Sequence, residues 1–384
     1  METLGSLIAR TGAAACLECG KCTAACPVAR EDAAFSPRRL VEEVIQGRWE
    51  AMLKSGALWS CLACRACHER CPMGVDYIGF VRGLRMFAQE RGEEVPCSHG
   101  GLLQSMMRLM ARTETVPERL GWLGEGLETA AEGETLYFVG CLPFFEVAFA
   151  ELGFPALEIA RSTVRLLNAA GIRPIVLPDE RCCGHDLLWQ GEVETFRKLA
   201  QANWAAIRRT GARRVITACA ECARTLALDY PAFGYELGVE VVHLSRWLAE
   251  AMDGSLSFAR ADLRLAFQDP CRLGRHLGEY QAPRTVLAAL GEPVEMAHSG
   301  RLAHCCGTSG WNVCGAVQKR LQRARLREAR AAGADLLVTT CPKCQIHLRC
   351  AGDDPDVSER IPVRDLAVLA AEALRSPRFP ASGE

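Results

Sequence analysis

The chain has 384 residues, 49% of them hydrophobic and 24% charged, with a formal net charge of -1. That length suits two or three domains, and the near-neutral charge excludes an overall electrostatic drive toward nucleic acid or anionic lipid. The sequence shows neither a basic leader with an apolar core nor an apolar run of about 18 residues, so a cytoplasmic protein that meets a membrane only through a redox partner is expected. Cysteine is the outlier, at 21 residues. An odd count cannot pair completely, and a long chain with periodic apolar segments is no small disulfide framework. Thiolate ligation is the expectation.

The first cysteines set the pattern. Cys16, Cys19, Cys22 and Cys26, followed by Pro27, are spaced C-x-x-C-x-x-C-x-x-x-C-P, and Cys61, Cys64, Cys67 and Cys71, followed by Pro72, repeat it. This is the spacing of bacterial two-cluster ferredoxins, in which the fourth cysteine of each run serves the other cluster. Cys16, Cys19, Cys22 and Cys71 would then hold one [4Fe–4S] cubane, and Cys61, Cys64, Cys67 and Cys26 the other. Zinc also binds C-x-x-C pairs, but two four-cysteine runs with trailing prolines favour iron and sulfide. Between the runs, Ser36-Pro37 predicts a helix start. Leu40, Val41, Val44 and Ile45 give that helix an apolar stripe toward Trp49.

The predicted organisation is an α-helical module over 1–95, a helical linker over 96–133, and two α/β domains over 134–256 and 257–384. Leu102, Met106, Met107 and Met110 give the linker an amphipathic helix suited to packing. The last two domains are an internal repeat. Strands ending near Val139 and Phe267 deliver Cys141 and Cys271. Cys182-Cys183-Gly184 and Cys305-Cys306-Gly307 follow, and longer helices end at Gly211 and Gly333, residues suited to a left-handed cap. Two further strands then reach Cys219 and Cys341, each completing a C-x-x-C with Cys222 or Cys344. Cys182 to Cys305 is an offset of 123 and Cys219 to Cys341 one of 122. Strands alternating with helices predict largely parallel sheets, giving α+β overall, and ligands of such sheets gather beyond the carboxyl ends of the strands.

At these residues the chain resembles the cysteine-rich "CCG" proteins. With a two-cluster ferredoxin in front, it is similar to the D subunit of heterodisulfide reductase. The same layout occurs in glycolate and lactate oxidase iron–sulfur subunits and in the anaerobic glycerol-3-phosphate dehydrogenase C subunit. The resemblance implies that each full five-cysteine set binds a noncubane [4Fe–4S] cluster: Cys141, Cys182, Cys183, Cys219 and Cys222 in one domain, and Cys271, Cys305, Cys306, Cys341 and Cys344 in the other. The second set would supply candidate active-site cluster ligands. The intact Cys341-Pro342-Lys343-Cys344 favours the heterodisulfide-reductase branch over oxidase subunits with a single cysteine there. Implied partners are a flavoprotein, a ferredoxin or a membrane quinone or cytochrome subunit. The alternatives are an electron conduit for a flavin-dependent hydroxy-acid or glycerol-3-phosphate dehydrogenase, and a non-catalytic scaffold.

Outside the motifs, Cys97, Cys314 and Cys350 read as buried structural thiols, with Cys314 the best exception, eight positions after Cys306 at the start of a helix that could approach the second set. His185 and His304 flank the two Cys-Cys-Gly motifs, where a solvent-facing loop histidine competes with a hydrogen-bond donor to sulfur. His347 reads as surface or helix packing. The basic helix Lys319–Arg330 reads as a scaffold with a solvated charged face. No G-x-G-x-x-G or P-loop is present, so no flavin or nucleotide site is expected.

Overall fold

A computed structural model describes residues 3–112, 114 and 118–375; residues 376–384, which close the predicted last domain, lie outside them. The N-terminal part is helical, and its helix boundaries follow from local chemistry. Thr3 and Ser6 cap each other's backbone N–H groups at the start of Leu4–Thr11. Ser36 accepts from the Arg39 N–H, with Pro37 in the first turn of Pro37–Ile45. Asp76 accepts from the Gly79 N–H at the head of Tyr77–Glu90. The stripe Leu40, Val41 and Val44 is buried as predicted, but Ile45 is 45% exposed. The helix stops there and a separate one, Trp49–Lys54, follows. Helix Leu4–Thr11 crosses Tyr77–Glu90 at Gly83, where a Cβ would lie 2.3 Å from a Leu7 methyl. Only glycine lets the two helices approach so closely.

The rest of the chain holds two parallel sheets. In the first, β1 (Thr135–Tyr137), β2 (Arg214–Thr217) and β3 (Glu240–His243) lie in the order β1-β2-β3, and Ile175 bridges the outer side of β1 at Leu136. In the second, β4 (Arg264–Phe267), β5 (Glu292–Val294), β6 (Leu336–Thr339) and β7 (Val363–Asp365) take the order β5-β4-β6-β7. Ile175 therefore occupies the place that β5 fills in the second copy. The central strands are almost wholly buried, as sheets covered on both faces require.

The two copies pack crosswise. Helix Ala156–Ala169 of the first lies on Leu366–Glu372 of the second, and the equivalent pair Leu244–Ala251 and Gln281–Leu290 lie on each other. Tyr137, Ile216, Val242, Trp247, Phe267, Val286, Val338 and Leu366 belong to one continuous core. The duplication has closed on itself, and this brings the carboxyl ends of both sheets together.

Candidate iron–sulfur sites

In both N-terminal runs the loop is curled by left-handed residues at matching positions. Glu18 (φ 51°) and Gly20 (φ 75°) lie among Cys16, Cys19 and Cys22, and Ala63 (φ 48°) and Arg65 (φ 69°) lie among Cys61, Cys64 and Cys67. Three non-glycine residues held this way is backbone strain of the kind that persists where a site over-determines it. The curl turns amide groups toward the sulfurs: the Ala63 N–H lies 3.4 Å from Cys61 Sγ. Cys26, Cys61, Cys64 and Cys67 line one small cavity, with Tyr77 and Phe35 beside them. Cys26, arriving from the other run, is pushed up by burial and by the proximity of Cys64 and Cys61. In the other group, Cys22 feels Cys16, Cys16 and Cys71 are half-buried, and Cys19 is exposed.

Cys141, Cys182, Cys183, Cys219 and Cys222 line a single cavity. Cys222 Sγ lies 3.5 Å from Cys183 Sγ, and Cys182 is hydrogen-bonded to both Cys141 and Cys183. In the second repeat Cys305 is bonded to Cys271 and Cys306, and Cys344 Sγ lies 3.2 Å from Cys306 Sγ and is also bonded to Cys341. Thiols this close cannot all ionise unaided. Cys182 and Cys306 are held well below the ordinary thiol value by hydrogen bonds from their neighbours. Cys183 and Cys305 are held well above it, their bonds to Cys182 and Cys271 coming first and burial adding to them. All 21 cysteines are free thiols. Buried all-sulfur donor sets of this kind, in which burial and crowding keep most thiols protonated until a cation neutralises them, fit iron–sulfur groups, whose ligand is thiolate.

The two repeats are not equivalent in their surroundings. The thiol of Cys64 is hydrogen-bonded to Cys305, which with Arg275 and Arg272 pulls it down to about 5 against burial. Buried arginines seat this contact. Arg272 donates to the Ala63 carbonyl, to His185 Nε2 at 3.1 Å and to Ser309, lies 3.8 Å from Cys271 Sγ, and stacks over Trp189. Arg275 bonds the Cys64 and Ala303 carbonyls, both at 2.6 Å. Arg85 reaches the Cys61, Leu58 and Trp189 carbonyls at 2.6, 3.0 and 2.8 Å. Arg272 and Arg275 sit in a π-turn, Arg272–His276, directly after Cys271.

Between the repeats, Lys343 is buried and paired with Asp186 and, at 2.7 Å, with Glu221, while its ammonium lies over Trp311. Burial opposes its charge, but the two carboxylates outweigh burial and hold it protonated. Burial pushes Glu221 up to about 7 against the pull of Lys343. Under the first site, Glu180 accepts from the Val139 and Gly140 N–H groups and from Arg119.

Sequence reasoning missed Arg85, Arg272, Arg275, Arg119, Glu180, Asp186, Glu221 and Lys343. For Arg272, Arg275, Glu180, Asp186, Glu221 and Lys343 the available signal was an ionisable residue inside or beside a ligand motif, whereas Arg85 and Arg119 stand far from any ligand cysteine in sequence. Several expectations need correction. Cys97 is exposed, and Cys314 lies by Cys350 and Lys319 instead of joining the second thiol set. His185 is no solvent-facing loop residue: it is buried at a helix start, and burial keeps it neutral. His347 takes the packing alternative, buried in helix Pro342–Gly352 against Trp311, with burial pushing it down to about 3. The basic helix is not simply solvated. Arg325 is fully buried against Gln268 and Glu328, Arg323 pairs with Asp354 and Asp356, and Arg320 with Glu31.

Known proteins match this arrangement. The cysteine-rich domain family matches residues 135–227 and 265–349, and the 4Fe-4S dicluster domain family matches 12–75. Over 327 residues the chain is 31% identical to the D subunit of the dihydromethanophenazine:CoB–CoM heterodisulfide reductase of Methanosarcina acetivorans, covering 82% of this chain and 77% of that protein. The chain belongs to the family of heterodisulfide reductase D subunits. It is thus an iron–sulfur redox subunit carrying a dicluster domain and a duplicated cysteine-rich domain. Within the same circle, the B subunit of the fumarate reductase (CoM/CoB) of Methanothermobacter marburgensis is 27% identical over 87% of this chain and 67% of its own. The fold is shared with the crystal structure of a hypothetical protein from Helicobacter pylori, with a TM-score of 0.54 at 13% identity, over 86% of this chain and 67% of that one. Among the described residues, no helix of this family member is long and apolar enough to cross a membrane.

Proposed function

We propose that the chain is an electron-transfer subunit whose ferredoxin-like module serves the C-terminal cysteine-rich site first, where a disulfide or another two-electron acceptor is handled. The observation that carries this is the seating of Cys64 against Cys305 by Arg272 and Arg275. Cys16, Cys19, Cys22 and Cys71 hold one cubane and Cys26, Cys61, Cys64 and Cys67 the other. The five thiols of each repeat hold a noncubane cluster. Bound there, these groups supply one-electron transfer at potentials set by their surroundings.

The protein's own residues do the rest. Arg85, Arg272 and Arg275 fix the loop carbonyls at Cys61, Ala63 and Cys64, so the sulfurs of the two sites keep one spacing. Trp189, Trp311 and Phe145 keep bulk water from the thiol sets. Lys343, held protonated in the wall of the first site, places a positive charge where anionic sulfur would form.

The likeness to the fumarate reductase B subunit favours a second reading, an electron conduit for a flavoprotein. Anaerobic purification with iron and sulfide analysis and EPR discriminates between them. Both repeats loaded gives about 16 iron atoms per chain, and about 8, from two cubanes alone, refutes the noncubane assignment. Reoxidation of the reduced protein's cluster EPR signals on adding a disulfide, with release of thiol and no excess reductant present, supports disulfide chemistry, whereas copurification with a flavoprotein and no response to any disulfide supports the conduit.

A further inference from the structure

A wide cleft of about 630 Å³ opens where the ferredoxin-like module meets the second cysteine-rich domain. Lys21, Arg30 and Arg70 line it from the first side, and His298, Arg301 and His304 from the second. Its one acidic lining residue, Glu69, is already bonded to Arg301. Lys21, Arg30 and Arg70 are exposed, and none has an acidic partner among the described residues; Arg30 donates only to His304 Nε2, at 2.7 Å. Charge is otherwise balanced over the molecule, whose net value is -1, so this excess is local. The cleft wall also includes Ala24 and Ala25, between Cys22 and Cys26, and Ala66, between Cys64 and Cys67. Both cysteine runs therefore present a small side chain to the cleft.

We propose that this cleft is the docking surface for a carboxylate-rich electron-carrier protein, which exchanges electrons with the ferredoxin-like module there. The proposal rests on reading that module as the electron entrance. The cations come from separate elements and are spread along the cleft instead of converging on one point. That suits the acidic face of a protein better than a single small anion. Unpaired cations ringing a redox site raise the encounter rate with an acidic partner, an effect of about 10–10³-fold that salt removes. The alanines let the partner approach the ligand loops without long side chains intervening.

The test uses the cluster-loaded full chain, prepared anaerobically, with a reduced acidic bacterial ferredoxin as probe and methyl viologen radical cation as a second reductant. Lys21→Glu and Arg70→Glu, at exposed positions with no partner to lose, should slow reduction by ferredoxin at least tenfold at low salt. They should also flatten its salt dependence and should not slow reduction by methyl viologen, whose cation the added carboxylates attract. Carbodiimide should cross-link ferredoxin carboxylates to Lys21 in the parent protein. Equal ferredoxin rates in variants and parent, or no cross-link at Lys21, overturn the docking proposal. So does inorganic phosphate binding that is lost in the variants while ferredoxin rates stay unchanged, since the cleft is then a small-anion site. If methyl viologen also fails to reduce the module in the parent, the electron-entrance reading itself falls, and the proposal with it.

Discussion

Replacing Lys343 with Met tests whether the charge between the two repeats holds them together. The ammonium is 3% exposed and bridges Asp186 and Glu221, with Glu221 at 2.7 Å. The gross attraction to Glu221 alone is about 6 kcal/mol at an effective dielectric of about 20, but desolvation of the ions consumes much of it. Removing one partner of a buried pair typically costs about 3–5 kcal/mol, because the remaining charge is left uncompensated. Here two carboxylates are stranded, yet Glu221 already sits near 7 and can escape by taking up a proton. With the cation gone its value rises further above the unfolded value of about 4.3, so the folded state binds the extra proton and stability falls as pH rises through that window. The loss should thus be about 3–5 kcal/mol at pH 8 and clearly smaller near pH 6. In anaerobic thermal melts that is a fall in Tm of about 4–6 °C at the higher pH. A double-mutant cycle with Asp186→Asn should give a coupling of about 1–3 kcal/mol. A loss below about 1 kcal/mol, the range of surface pairs, or one that is independent of pH would refute the reasoning.

Cys183→Ala and Cys306→Ala should each remove one cysteine-rich-domain EPR signal and leave the ferredoxin-type signals intact; loss of a ferredoxin signal would show the ligand partition to be wrong. Asp365 caps Leu366–Glu372 through the Ala367 N–H, and burial raises it to about 7. Because the unfolded value is near about 3.9, this residue makes stability fall as pH rises from about 4 to about 7. Asp365→Asn, an equally good cap, should flatten that slope in melts from pH 5.5 to 8 and stabilise the protein at pH 8. Gly191 has φ +94°, and a Cβ there would meet the Arg85 carbonyl at 2.5 Å. Gly191→Ala should therefore cost more than about 2 kcal/mol and loosen the Arg85 grip on Cys61, seen as faster hydrogen exchange in Tyr77–Glu90; unchanged exchange would contradict the packing.

The ligand cysteines were legible because a cluster must be met by thiolates at short, fixed spacing, and Ser36-Pro37 because a cap is a local event. The repeat was legible because both copies keep their spacing. The groups around the thiols were not. Arg272 and Arg275 look in sequence like ordinary surface charges, and their partners, the Ala63 and Cys64 carbonyls, lie about two hundred residues away. Tertiary packing likewise misled the reading of His185, buried against Arg272 of the other repeat, and of Arg325, buried within its own repeat against Gln268 and Glu328. Cys97 erred in the opposite direction, since a general preference of cysteine for the interior says nothing about one loop.

Sequence symmetry and its breaking together explain why one chain carries two unequal sites. The position after Cys141 is Leu142 and the fourth after it Phe145, and both are buried in or beside the shared core. At the matching positions after Cys271 stand Arg272 and Arg275, which grip the Cys61–Cys64 loop. The first repeat meets the module through other groups, Asp229 with Arg82 and the Trp189 carbonyl with Arg85, so only the second repeat grips the cysteine loop from directly beside its own ligand set. A complementary divergence joins the repeats: Glu221 of Cys219-Ala220-Glu221-Cys222 and Lys343 of Cys341-Pro342-Lys343-Cys344 hold the same place in the two motifs, and they pair at 2.7 Å. In a symmetric dimer of identical repeats a residue near the axis meets its own copy, and two lysines or two glutamates would repel. Duplication within one chain lets the two positions differ, so the contact that would push identical halves apart draws these together, next to the thiols it must keep in place.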